Sequence, residues 1–75
     1  MIIYQNKGRR SGVAGFDVTE NSITVYFKGG SYYLYNEVKP GLKAVHEMIE
    51  LAKAGEGLNT YINKYVRDDY ASKHI

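Results

Sequence analysis

Between Ile23 and Lys28 apolar and polar residues alternate strictly: Ile23, Val25 and Phe27 on one side, Thr24, Tyr26 and Lys28 on the other. Period two with β-branched and aromatic content predicts a strand with one buried face. Upstream, Ala14, Phe16 and Val18 fall on one side of a run starting at Val13, and Thr19-Glu20-Asn21-Ser22 supplies turn residues. That predicts a strand before it. Downstream, Gly29-Gly30 interrupts the pattern and Ser31-Tyr32-Tyr33-Leu34-Tyr35-Asn36 resumes it with residues that suit a pleated surface. The three segments predict an antiparallel meander.

After Pro40 the period lengthens. Leu42, Val45, Met48, Ile49 and Ala52 fall within an arc of about 120° on a helical wheel, with Lys43, His46, Glu47, Glu50 and Lys53 opposite. This is an amphipathic helix, with Pro40 suited to its first turn and Gly55 or Gly57 to its end. A second, shorter helix is predicted from Leu58, Ile62, Tyr65 and Val66, capped by Asn59 and stopping near Arg67. Asp68-Asp69 would oppose the negative end of a longer helix. Residues 68–75 are therefore assigned to a tail.

Residues 5–12 hold no apolar side chain and two glycines. Residues 1–10 read as a flexible lead-in or a short edge strand, and residues 11–67 as the core of one small domain. Strands followed by helices define an α+β class: a three-stranded antiparallel meander with two helices on one sheet face, in the order β-β-β-α-α. The other sheet face is left open.

Composition narrows the function classes. The 75 residues contain no cysteine, which removes disulfide frameworks, iron–sulfur clusters and thiol catalysis. The apolar start is too short for a signal peptide and no stretch approaches a membrane span, so the expectation is a cytoplasmic protein without a membrane partner. Ten Lys+Arg against eight Asp+Glu give a net charge of +2, too mild by itself to indicate nucleic acid. Tyrosine stands out, with eight residues against two Phe and no Trp. An aromatic with a polar end suits half-buried surfaces and interfaces.

The run Ser11, Phe16-Asp17, Ile23-x-Val25-x-Phe27, Gly30, Tyr33-x-Tyr35, an apolar helix, Gly57, Asn59, Ile62 and Tyr65 resembles the KTSC family. That short domain takes its name from the carboxyl end of some lysyl-tRNA synthetases and also occurs as a free-standing bacterial or phage protein. The resemblance covers about residues 11 to 66 and departs from the family where Val38-Lys39-Pro40-Gly41 replaces the usual Val-Pro-Pro. It implies RNA binding only as the suggestion attached to a family of unestablished function.

Candidate chemistry is sparse. His46 and Glu50, four apart on a helix, are two potential ligands where a metal site needs more, and they read as an exposed pair. His74 lies in the tail, Asp68-Asp69 lacks a third partner, and Gly55-Glu56-Gly57 reads as a turn between helices rather than a phosphate loop. The helix start after it could hold one phosphate. No catalytic residue, metal site or cofactor is assigned, and the protein is not expected to be an enzyme.

The tyrosines admit two hairpin registers. A two-residue Gly29-Gly30 turn pairs Phe27 with Tyr32 and Val25 with Leu34, and puts Tyr26, Tyr33 and Tyr35 together on the open face. A three-residue turn reverses the parity, pairing Phe27 with Tyr33 and Val25 with Tyr35, so that Tyr33 and Tyr35 become core. Burial of Leu34 favours the first register. A polar residue between the two tyrosines in KTSC sequences favours the second. In the first, Tyr26, Tyr33, Tyr35 and Lys28, with Lys7, Arg9 and Arg10 on the lead-in, would form a platform for single-stranded RNA through base stacking and phosphate contacts. The alternative is a protein-interaction or homodimer module using the same tyrosine-rich face.

Overall fold

The computed structural model describes residues 1–7 and 11–75. Its elements are β1 (Ile2–Ile3), β2 (Val13–Val18), β3 (Ser22–Phe27), β4 (Tyr32–Asn36), α1 (Leu42–Ala54), α2 (Leu58–Tyr61) with a π-helical turn over Ile62–Val66, and β5 (Ser72–His74). The class is α+β. The sheet has five antiparallel strands in the order β1-β2-β3-β4-β5, not three. The two additions are short edge strands, one from the lead-in and one from the stretch assigned to a tail.

The hairpin between β3 and β4 settles the parity. Gly30 N–H donates to the Phe27 carbonyl (3.0 Å) and Phe27 N–H to the Ser31 carbonyl (2.9 Å), so the loop is Lys28-Gly29-Gly30. Gly30 adopts φ 100°, a conformation that L side chains rarely adopt. Three loop residues give the reversed parity, shifted by two from the expected partners: Val25 faces Tyr33, Ile23 faces Tyr35, and Tyr26 faces Tyr32. Tyr33 and Tyr35 therefore lie on the helix side, and the expected grouping of both with Tyr26 on the open face is corrected.

In β2 a bulge at Ala14 lets Val13 pair with Phe27 while Gly15 pairs with Tyr26. The extra residue switches parity within the strand, so Val13 and Phe16, three apart, both enter the core. Alternation alone had put Ala14 there.

Helix α1 packs on β3 and β4 through Val45, Met48, Ile49 and Ala52, all buried. Leu42, at its first turn, is 40% exposed. Pro40 precedes the helix instead of opening it, joined to Lys39 by a cis peptide bond, and Gly41 is the N-cap. The helix ends at Gly55, whose N–H donates to the Leu51 and Ala52 carbonyls. Asn59 does not cap α2, because Gly57 occupies that position. The Leu58 N–H donates instead to the Tyr4 hydroxyl at 3.3 Å, a tertiary contact that secures Tyr4, 4% exposed, in the core. Leu58, Ile62 and Val66 are buried, whereas Tyr65, expected with them, is 62% exposed. The widened π turn rotates Tyr65 off the apolar face.

The lead-in is anchored where it is described. Lys7 N–H donates to the Gly55 carbonyl (2.8 Å), Ser11 N–H to Asn6 Oδ1 (3.2 Å) and Lys28 N–H to the Gly12 carbonyl (2.8 Å). Among the described residues no helix is long and apolar enough to cross a membrane.

Candidate functional site

The five-stranded register distributes the aromatic side chains over two surfaces. On the face away from the helices, one row runs through Gly15, Tyr26, Tyr32 and His74, and the next through Asp17, Thr24, Leu34 and Ser72. The Tyr26 and Tyr32 rings lie 5.4 Å apart, and His74 stacks on Tyr32 at 4.6 Å, covering one face of that ring. The Tyr26 hydroxyl donates to Asp17 Oδ2 at 2.5 Å, and the Met1 amino group pairs with Asp17 Oδ1 at 3.2 Å. The Tyr26 hydrogen bond, helped by the amino group, holds the Asp17 carboxyl below its usual range, and the same bond pushes the Tyr26 hydroxyl up. These two rows contain no lysine or arginine. That arrangement is a poor anion platform.

The helix side is different at its open end. Tyr33, flanked by Val25 on β3 and Lys73 on β5, and Tyr35, opposite Ile23, form one wall of a cleft. The π-helical turn and the chain leaving it form the other, through Ile62, Asn63 and Arg67. The cleft has a volume of about 430 Å³. Its interior is aromatic: Tyr33 meets Phe27 edge-on at 5.3 Å and Tyr70 at 5.0 Å. Its rim carries Arg67, Asp68 and Lys73, all exposed, with Lys73 Nζ 5.7 Å from the Tyr33 ring centroid. Neither Arg67 nor Lys73 forms an ion pair among the described residues.

Tyr35 is a buried residue behind this wall. It is 0% exposed and its hydroxyl has no hydrogen-bond partner among the described residues. Burial pushes its pKa far up, and the nearby Tyr33, Tyr70 and Asp68 push it further, so it remains neutral at physiological pH. An unsatisfied buried hydroxyl costs about 1–3 kcal/mol. The hydroxyl is closed to solvent, so the surface the cleft presents consists of its rings and its charged rim.

The residues proposed from sequence are thus divided. Tyr33 and Tyr35 line the cleft, and Tyr26 lies on the opposite sheet face. Lys28 is exposed in the β3–β4 loop next to Phe27, while Lys7 is exposed beside the end of α1. Arg9 and Arg10 lie outside the described residues. Sequence reasoning missed Arg67, Tyr70 and Lys73. For Tyr70 and Lys73 the only signal was the alternation Tyr70, Ser72, His74 against Ala71, Lys73 in a stretch assigned to a tail, and Arg67 was read only as the end of the second helix. His46 and Glu50 are exposed on α1, and no cluster of three His, Cys, Asp or Glu suited to a metal occurs among the described residues.

A shallower apolar groove of about 610 Å³ runs between the start of α1 and α2, with Leu42, Tyr61 and Tyr65 on its walls. It contains no buried hydrogen-bonding group left without a partner. Comparisons with protein-family models, with curated proteins and with solved structures found no match.

Proposed function

We propose that this protein is a non-catalytic module that binds single-stranded nucleic acid, RNA in the first instance, in the cleft between β4, β5 and the π-helical turn. Aromatic rings beside unpaired cations are what such binding requires, since rings accept bases and Lys or Arg meets phosphate. The cleft combines Phe27, Tyr33 and Tyr70 with Arg67 and Lys73. The observation that carries the reading is the juxtaposition of those rings with Arg67 and Lys73, two exposed cations without an ion pair among the described residues. The resemblance to the KTSC family, with RNA binding as its attached suggestion, supports the same reading and stands as part of the proposal.

The test is a titration of labelled mixed-sequence single-stranded RNA at two salt concentrations, followed by anisotropy. Binding should weaken with salt. Replacing Arg67 and Lys73 by Ala together removes two phosphate contacts and should lower the slope of log affinity against log salt by about 1.4. An unchanged slope would take both residues out of the interface. Absence of binding at low salt would refute the function.

A further inference from the structure

We infer that residues 67–75 form a strap that closes on β4 as a unit and swings off it while the rest of the domain stays folded, so that the cleft is assembled only when the strap is shut. This is a property of the ligand-free chain and goes beyond the nucleic-acid reading. The first support is where the strap is attached. Strand β5 lies at the edge of the sheet and pairs with β4 over Tyr32, Tyr33 and Leu34. The same three residues receive its further contacts: His74 stacks on Tyr32, Tyr70 and Lys73 meet the Tyr33 ring, and the Ala71 N–H donates to the Leu34 carbonyl at 2.7 Å. One short stretch of β4 holds the segment.

The second support is how little the strap buries. Beyond Val66 no residue as far as Ile75 is buried, and Tyr70 is only half-buried. Few apolar contacts are lost when such a segment leaves, which puts its release among the low-energy local openings of a fold. The other edge of the sheet is built differently. Strand β1 runs into Tyr4, which is buried in the core with its hydroxyl on the Leu58 N–H, and the Lys7 N–H donates to the Gly55 carbonyl. Both edge strands are short, and the core anchors β1 through Tyr4.

The third support is the Tyr35 hydroxyl, which is closed to solvent and unpartnered behind a cleft whose walls include Asp68 and Tyr70 of the strap. Burial is the main cause that keeps this hydroxyl protonated, and Tyr33, Tyr70 and Asp68 add to it, so the strap lies beside it. Opening admits water there. Closure leaves the hydroxyl without a hydrogen bond and opening supplies one, which favours the open state. Opening also carries Tyr70 and Lys73 away from Tyr33, so the cleft loses a ring and a cation together. Any ligand that bridges Lys73 and Tyr33 must hold the strap shut.

Amide hydrogen exchange of the ligand-free protein, resolved by NMR, tests the strap. The Ala71 amide should exchange on the order of a hundredfold faster than the amides of Val25 and Met48, which wait for global unfolding. Gly15→Ala, which weakens the far edge, should speed exchange at Val25 and Met48 and leave Ala71 unchanged. Tyr35→Phe removes the hydroxyl that opening hydrates and should slow Ala71 exchange about fivefold, and Tyr70→Ala should speed it by about the same factor. Exchange of Ala71 at the rate of Val25 and Met48, or accelerated with them by Gly15→Ala, would overturn the proposal, because the strap would then leave only when the whole domain unfolds. An Ala71 rate unchanged by both Tyr35→Phe and Tyr70→Ala would overturn it as well, since neither the covered hydroxyl nor the Tyr33 contact would belong to the opening.

Discussion

At the scale of single residues, Tyr35 carries an unsatisfied hydroxyl in the core. Its hydroxyl was exchanged from water into a site without a partner, so deleting it removes an unfavourable term and only a small volume. Tyr35→Phe should stabilise the free protein by about 1 kcal/mol, which for a domain of this size raises Tm by about 4 to 8 °C. Calorimetry of the ligand-free protein measures this, and a lower Tm would mean that the hydroxyl has a partner in solution. Asp17 and Tyr26 show the opposite case, a hydroxyl and a carboxylate that satisfy each other. With its folded pKa below the ordinary 3.8, Asp17 contributes stability that is complete above that pH and is lost as pH falls through the lowered value. Tyr26 is raised above 10.0, so its contribution is complete below pH 10 and is lost as pH rises through the folded value. Removing the shared bond with Tyr26→Phe should move the Asp17 titration midpoint up toward 3.8 without reaching it, because the amino group of Met1 still contributes. Carboxyl-carbon NMR titration reads the midpoint directly, and an identical midpoint in both proteins would exclude the bond from solution.

At the scale of elements, what the sequence discloses depends on how local the cause is. The alternation of β3 and the apolar arc of α1 are local, and both elements form where the pattern puts them. The β2 bulge, the Tyr4 hydroxyl serving Leu58, and β5 depend on partners distant in the chain. Ser72-Lys73-His74 has no apolar residue to mark a strand, and it is held by pairing with β4 and by the Ala71 N–H to Leu34 carbonyl bond at 2.7 Å. Half of the site was legible for the same reason: Tyr33 and Tyr35 belong to a clear strand, while Tyr70 and Lys73 are placed by the pairing of β5 and Arg67 by the end of the π-helical turn. Strand β1 is equally dependent on close approach. A Cβ on Gly15 would lie 2.6 Å from the Ile2 carbonyl oxygen, a backbone atom that cannot move without displacing β1. Gly15→Ala should therefore cost about 1–3 kcal/mol in chemical denaturation and raise amide exchange at Tyr4, whose N–H bonds the Ala14 carbonyl. Wild-type exchange at Tyr4 would show that β1 tolerates the added methyl.

At the scale of the whole molecule, the question is whether the open sheet face joins two copies of the chain. Its chemistry is suggestive: Tyr26, Tyr32 and Leu34 are accompanied by one carboxylate already paired within the molecule. Its size argues against association. Five strands about 4.8 Å apart and no more than six residues long, at about 3.3 Å each, outline a face of roughly 400 Å². A standard stable interface buries about 800 Å² on each partner. The edges add little, since β1 has two residues and β5 has three, too short to template extended pairing with another chain. The protein should therefore elute as a monomer at tens of micromolar, with a mass near 8.5 kDa by light scattering, and RNA should bind one copy per cleft. A mass near twice that value, abolished by Tyr32→Ala, would reassign the open face as a dimer interface. It would leave the cleft accessible on the opposite side of each sheet, so RNA affinity and its salt dependence would be unaffected by that substitution.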